Sequence, residues 1–211
     1  MNKKLRITLM IGMLLILVDL MLSILLKNTY PLPITDMDWI NAARQSPFML
    51  LYHLDGLNLI IAWVFAAFFY LLKNMNARFS RLFVFYVVGL LYMTIMNRAY
   101  LVWGLAQFTV FDDANLLALI HQGRHDGWWT LPGFLMQNLS FLYLAYTFIQ
   151  NKTTRVLGIL GCLGFSLLSI YLILIRFLSL NPMMMGMTAI GGIIALVFYG
   201  RLIKHLQSHS L

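Results

Sequence analysis

Six apolar stretches, each long enough to cross a lipid bilayer, divide this chain from one end to the other. They cover residues 5–26, 48–72, 82–106, 131–149, 156–178 and 183–203. A helix needs about 20 predominantly apolar residues to span the hydrocarbon layer. Only 10% of the residues are charged, whereas about a quarter are charged in an average soluble domain. The sequence therefore predicts an all-α integral membrane protein, a single membrane domain (1–211) built as a six-transmembrane-helix bundle.

Lysine and arginine residues at the ends of the apolar stretches indicate the topology. With a cytoplasmic N-terminus, ten of them fall on the inner side and three on the outer side. The inner residues are Lys3, Lys4, Arg6, Lys73, Arg78, Arg81, Lys152, Arg155, Arg201 and Lys204, and the outer residues are Lys27, Arg44 and Arg124. Cytoplasmic loops carry an excess of basic residues, so both termini are predicted to be cytoplasmic. Because topology explains the net charge of +8, we expect the lipid bilayer and no nucleic acid as a partner.

A belt of polar residues lies inside four of the predicted helices. It contains Asp19, Tyr52, Asp55, Asn58, Asn97, Arg98 and Asn138. Asp55 is the anchor of this belt, because a carboxylate inside a membrane helix is costly and marks a polar core or a functional site. Asp19, Asp55, Arg98 and Asn138 each lie seven or eight residues from the outer end of their helix. At 1.5 Å per residue, this corresponds to roughly 10–12 Å below the outer surface.

The charged residues inside the predicted helices are Asp19, Asp55, Arg98 and Arg176, and their formal charges cancel. Charges that leave water are expected to neutralise one another. The sequence therefore predicts a contact between Arg98 and either Asp55 or Asp19. Such a pair either fixes the register of the helices or belongs to a polar pocket.

The main functional hypothesis is an outward-facing pocket that binds or transports a small polar or ionic ligand. The acidic and basic members of the belt would hold the charge of the ligand, and Asn58, Asn97 and Asn138 would be neutral partners. Tyr52 shares a helix face with Asp55 and Asn58 because these residues are spaced by three. This hypothesis requires no cofactor and no enzymatic activity.

A metal-dependent hydrolase is the alternative from another functional class. His121 and His125 are four residues apart and would face the same way on a helix, where they could supply two ligands to zinc. His53 and Asp126 would complete the ligand set. Gly123 between the two histidines weakens the helix that this arrangement requires.

A structural or partner-binding subunit is the third hypothesis. Small residues spaced by four allow membrane helices to approach closely. The last predicted helix contains two such pairs, Thr188 with Gly192 and Gly191 with Ala195. These four residues therefore predict a helix-mediated oligomer.

Two segments resemble a known family. One comprises residues 54–63 in the second predicted helix with residues 71–76 at and just after its end, and the other is residues 154–164 at the start of the fifth. Together with the six-span layout, they are similar to a large bacterial family of small membrane proteins whose shared domain has no assigned function. The resemblance implies a six-span fold in the bacterial plasma membrane, and it implies no activity.

Overall fold

The computed structural model describes residues 2–26, 56–94, 131–174 and 182–208. These ranges contain six α-helices. They are α1 (Asn2–Leu26), α2 (Gly56–Met75), α3 (Ser80–Met93), α4 (Leu131–Ile149), α5 (Arg155–Leu174) and α6 (Pro182–Ser208). A short 3₁₀ helix, Ala77–Phe79, joins α2 to α3.

Four of these helices are long and apolar enough to cross a membrane. The segments are Asn2–Leu22, Leu57–Met75, Arg155–Leu174 and Gly186–Gln207. For the described residues, the prediction of an all-helical, multi-pass membrane protein is therefore confirmed. The predicted third span, 82–106, lies partly outside the described residues, and the amides Gln137 and Asn138 lower the hydropathy of α4. The six-span arrangement and its orientation stay predictions.

The six helices form a closed ring in chain order. Each helix packs against its neighbours in the sequence, and α6 returns to pack against α1. Neighbouring helices run antiparallel, as α3 and α4 show: Gly89 meets Gly133 at one level, while Arg81 and Tyr146 line the same groove nearer the other end.

Glycines set the closest helix crossings within the ring. A Cβ atom built on Gly133 of α4 would lie 2.8 Å from the carbonyl oxygen of Gly89 on α3. A Cβ atom on Gly164 of α5 would lie 3.0 Å from the backbone nitrogen of Ala195 and 3.3 Å from the carbonyl oxygen of Gly191 on α6. A Cβ atom on Gly133 would clash with the facing backbone, and one on Gly164 would make unusually tight contacts, so these helices approach backbone to backbone.

These contacts occupy part of the surface that was predicted to join two chains. Gly191 and Ala195 are buried against α5 of the same molecule. Thr188, Gly192 and Ala195 contribute to the wall of an internal cavity. The described contacts of the small-residue pairs are thus intramolecular, and an oligomer formed through them stays a prediction.

The interior of the ring is filled largely by aromatic side chains, with Phe141 of α4 at the centre. Its ring centroid lies 4.9 Å from that of Phe69, 5.0 Å from those of Phe65 and Phe165, and 5.4 Å from that of Tyr199. All five residues are buried. Edge-to-face and offset contacts of this kind contribute packing energy beyond the area that they cover. They connect α2, α4, α5 and α6 across the ring.

One end of the ring carries the short helix connections and the basic residues. The links between α2 and α3 and between α4 and α5 lie there, with the start of α1 and the end of α6. Each link is held by a side chain: the Asn76 carboxamide oxygen accepts from the Arg78 backbone N–H at 3.0 Å, and the Thr154 hydroxyl donates to the Phe148 carbonyl at 2.8 Å. The ten basic residues assigned to the inner side are on these segments, so the structure gathers them at one end.

A candidate binding cavity inside the helix ring

A cavity of about 410 Å³ lies inside the ring, on the side away from the basic end. All six helices contribute to its wall, α1 through Ile16 and α3 through Tyr86, Leu90 and Met93. Its volume falls within the range of about 300–1,000 Å³ that is usual for small-molecule sites.

Away from the basic end, the cavity wall carries polar side chains among apolar ones such as Phe134 and Leu172. We call these polar side chains the polar rim; they are Asn58 on α2, Gln137 and Asn138 on α4, Tyr171 on α5 and Thr188 on α6. These residues lie near the helix ends opposite the basic links. Asn138, for example, is seven residues into α4, about 10 Å along its axis. Four helices thus bring amides and hydroxyls to the wall of one cavity.

The part of the cavity nearest the basic end is aromatic. We call it the aromatic floor; it consists of Phe65, Tyr86, Phe141, Phe165 and Tyr199. The Tyr86 hydroxyl donates to the Ala62 carbonyl at 3.1 Å. Because the floor residues are all buried and the others are each in ring contact with Phe141, they separate the cavity from the basic end of the ring.

Several polar groups in the wall retain unused hydrogen-bonding capacity. The Thr188 hydroxyl donates to the Met184 carbonyl of its own helix at 3.1 Å, and the Gln137 amide donates to the Met93 thioether at 3.1 Å. A thioether is a weak acceptor. Among the described residues, the side chains of Asn58, Asn138, Tyr171 and Tyr199 form no hydrogen bond with one another or with a neighbour.

Tyr199 stands out among these groups, because only 4% of it is exposed. Its ring stacks on Phe65 with the centroids 5.2 Å apart, and its hydroxyl has no described protein partner. A buried hydroxyl without a partner costs free energy. A ligand or a water molecule in the cavity would remove that cost.

The wall can form hydrogen bonds of both kinds. Each carboxamide donates and accepts, and each hydroxyl does the same. Among the described lining residues none carries a charge. The described wall is therefore suited to a molecule with a polar end, for the rim, and an apolar or aromatic body, for the floor.

The structure brings together two members of the predicted polar belt. Asn58 and Asn138, which are 80 positions apart in the sequence, line the same cavity. Asp19 is half-buried on α1, about one turn beyond the lining residue Ile16. Tyr52, Asp55, Asn97 and Arg98 lie outside the described residues, so the predicted pair between Arg98 and an aspartate stays a prediction.

The predicted metal ligands also lie outside the described ranges. These are His53, His121, His125 and Asp126. Within the ranges that the structure describes, no group of three His, Cys, Asp or Glu side chains could hold a metal ion. The zinc hypothesis therefore stays a prediction that rests on the sequence.

Sequence reasoning did not identify the aromatic floor or Tyr171 as parts of the site. Tyr199 lies four residues before the predicted end of the last span at residue 203, where a tyrosine is usually interfacial. The helix in fact continues to Ser208, which places Tyr199 deeper. The sequence feature that could have identified Tyr199 is its hydroxyl group, which follows a run of apolar residues.

Comparisons of this chain with protein-family models, with curated proteins and with solved structures find no match.

Proposed function

We propose that this protein binds a small polar ligand in the cavity inside the helix ring. The observation that carries the proposal is the convergence of Asn58 and Asn138 on one cavity above a buried aromatic floor. In the sequence, Asn138 lies at the same predicted depth as Asp55, and Asn58 shares a helix face with Asp55, so both asparagines belong to the predicted polar belt. Polar side chains cost free energy inside a membrane, so apolar residues would fill a purely structural gap between helices more favourably than two amides.

The proposed orientation follows from the basic residues. Their excess at one end favours a cytoplasmic location for that end, so the polar rim would face outward across a bacterial plasma membrane. The ligand would enter from the outer side and rest on the aromatic floor. Asp19 and the predicted partners Asp55 and Arg98 would add charge near the entrance, where an ionic group of the ligand would bind.

Binding is the part of the proposal that the cavity supports directly. Transport would require a second opening, past the floor formed by Phe141 and its neighbours. The two activities, binding and transport, are separated by comparing the amount of ligand that accumulates in proteoliposomes with the amount that the purified protein binds at equilibrium. Saturation at one ligand per protein indicates binding alone, whereas continued accumulation indicates transport.

A thermal-stability screen in mild detergent tests the proposal. The panel would contain amino acids, nucleosides, sugars and small aromatic amines and amides. A ligand that binds only the folded state stabilises it by about 2.7 kcal/mol at a concentration 100 times its Kd. We expect at least one compound to stabilise the protein saturably.

Two variants make the screen specific to the cavity. Replacing Asn58 and Asn138 together with alanine should abolish the ligand effect. The matched control is Asn74→Ala, because Asn74 is an exposed asparagine of α2 at the basic end and does not line the cavity. Stabilisation that persists in the double variant, or no stabilisation by any compound in the panel, would contradict the proposal.

A further inference from the structure

A second hollow lies on the outer surface of the ring, between α3 and α4 at the basic end. Its volume is about 940 Å³, and it is open along the side that faces away from the ring interior. Its lining residues are Ala77, Arg78, Arg81, Leu82, Phe85, Leu139, Leu142, Tyr143 and Tyr146. None of them lines the internal cavity, so the groove is a separate feature.

The groove changes from charged to apolar along its length. Arg78 and Arg81 lie at its basic end, together with Tyr146 of α4. Leu82 lies one turn after Arg78, and Phe85 one turn after Arg81, so the wall is apolar beyond the two arginines. On α4 the wall extends from Tyr146 back to Leu139, about 10 Å along the helix axis. A charged mouth that continues into an apolar channel matches a molecule with an anionic head and a hydrocarbon tail.

Positive charge at the mouth is not balanced by protein carboxylates in the described ranges. Arg78 and Arg81 are both exposed. The Arg78 guanidinium lies over the Phe79 ring, 4.6 Å from its centroid, and neither arginine forms an ion pair with a described side chain. The one acidic residue in the described ranges is Asp19, which lies towards the opposite end of the ring.

The side walls of the groove are apolar and exposed in the absence of lipid. Phe85, Leu139, Tyr143 and Tyr146 are each between 39% and 55% exposed. In a membrane protein such a surface is covered by acyl chains. Basic pockets between transmembrane helices at the cytoplasmic side are typical binding sites for anionic lipid headgroups.

We propose that this groove binds an anionic phospholipid of the surrounding leaflet. The Arg78 and Arg81 guanidinium groups would donate charge-assisted hydrogen bonds to the phosphate, a geometry for which arginine is well suited. The Tyr146 hydroxyl would donate to the headgroup, and one acyl chain would lie against Leu82, Phe85 and Leu139. A free phosphate ion would contact only the two arginines, and it would leave these apolar side chains uncovered.

The test is a lipid titration of the full-length protein in a neutral detergent. Short-chain phosphatidylglycerol is compared with phosphatidylcholine of the same chain length, and binding is followed by native mass spectrometry and by thermal stabilisation. We expect phosphatidylglycerol to bind saturably and to stabilise the protein, and phosphatidylcholine to do so much more weakly. Soluble glycerol phosphate tests whether an anion alone is sufficient, and it should give no stabilisation.

The critical variant is R78Q/R81Q, and its matched control is R155Q/R201Q. Both pairs remove two exposed arginines from the basic end, and Arg155 and Arg201 lie on α5 and α6, outside the groove. Because one basic side chain contributes about fivefold to the attraction of an anionic lipid, R78Q/R81Q should weaken phosphatidylglycerol binding on the order of tenfold or more. The control pair should change it by less than about threefold, since it alters only the general surface charge.

Three results would overturn the inference. One is equal binding of the two phospholipids by the wild-type protein. Another is an equal loss of phosphatidylglycerol binding in the two variant pairs, which would indicate non-specific surface attraction. The third is full stabilisation by glycerol phosphate, which would indicate a simple anion site.

If R78Q/R81Q fails to fold, a second variant tests the same contact. R78K/R81K retains both charges without the guanidinium geometry and should still lower the affinity for phosphatidylglycerol. Unchanged affinity in that variant would also contradict the proposal.

Discussion

Replacing Gly158 with alanine should destabilise the protein, although alanine normally stabilises a helix. Gly158 lies at the start of α5, where this helix crosses the end of α4. A Cβ atom at this position would lie 2.6 Å from the Ile149 backbone nitrogen and 2.7 Å from the Ala145 carbonyl oxygen. Ordinary van der Waals contacts begin at 3.4 Å, so the two helices would have to separate by about 0.7–0.8 Å.

Two opposing contributions determine the size of the effect. Alanine in place of glycine in a helix gains roughly 0.5–1 kcal/mol. Overpacking of a close contact costs about 1–3 kcal/mol, and a backbone neighbour cannot move aside as the end of a side chain can. We therefore expect a net destabilisation of about 1–2 kcal/mol in Gly158→Ala.

The matched control is Gly200→Ala on α6, where a Cβ atom would meet nothing within 4 Å. Here only the helix-propensity gain applies, so this variant should be more stable than the wild type by up to about 1 kcal/mol. Reversible unfolding in mixed micelles of a mild detergent and dodecyl sulfate gives both free energies. A Gly158→Ala protein that is as stable as the Gly200→Ala protein would refute the backbone-to-backbone crossing of α4 and α5.

The remaining predictions concern the interior of the ring. Phe141→Ala should cost about 3–5 kcal/mol in the same unfolding assay, because it leaves a cavity among several aromatic rings. The control Trp63→Ala, at a side chain that is 48% exposed, should cost much less. Similar losses of stability in the two variants would contradict the central position of Phe141. Tyr86→Phe removes the hydrogen bond to Ala62 and should cost about 0.5–1.5 kcal/mol. Tyr199→Phe removes a hydroxyl without a described protein partner, so it should leave the stability of the ligand-free protein unchanged or slightly higher, and a loss as large as that in Tyr86→Phe would show that the Tyr199 hydroxyl is already satisfied.

The sequence was sufficient for the features that depend on local composition. Apolar length predicts membrane-crossing helices, and four segments of the structure meet that criterion. The placement of Lys73, Arg78 and Arg155 at helix ends predicts that they share one end of the fold, because consecutive helices alternate in direction. The sequence also assigned Asn58 and Asn138 to one polar belt, and the structure puts both in the wall of one cavity.

The features that sequence reasoning missed depend on which helix faces meet. Phe65, Phe141 and Phe165 are ordinary residues for a membrane helix, and only the ring arrangement turns them toward one another. Gly191 and Ala195 have the spacing of a helix interface, but spacing alone does not distinguish a partner helix in the same chain from one in another. The contacts of Gly164 show that α5 of the same chain is that partner.

Helix α4 connects the two proposed sites through opposite faces. Asn138 and Phe141 point into the ring, whereas Leu139, Tyr143 and Tyr146 line the groove on its outer surface. Because the cavity and the groove share no lining residue, a side chain can be changed in one without removing a contact in the other. Loss of phosphatidylglycerol binding together with intact ligand stabilisation would therefore support two independent sites. If the groove variants also abolished ligand binding, the position of α4 itself would depend on the arginines, and the variants would be reporting on the fold of the ring.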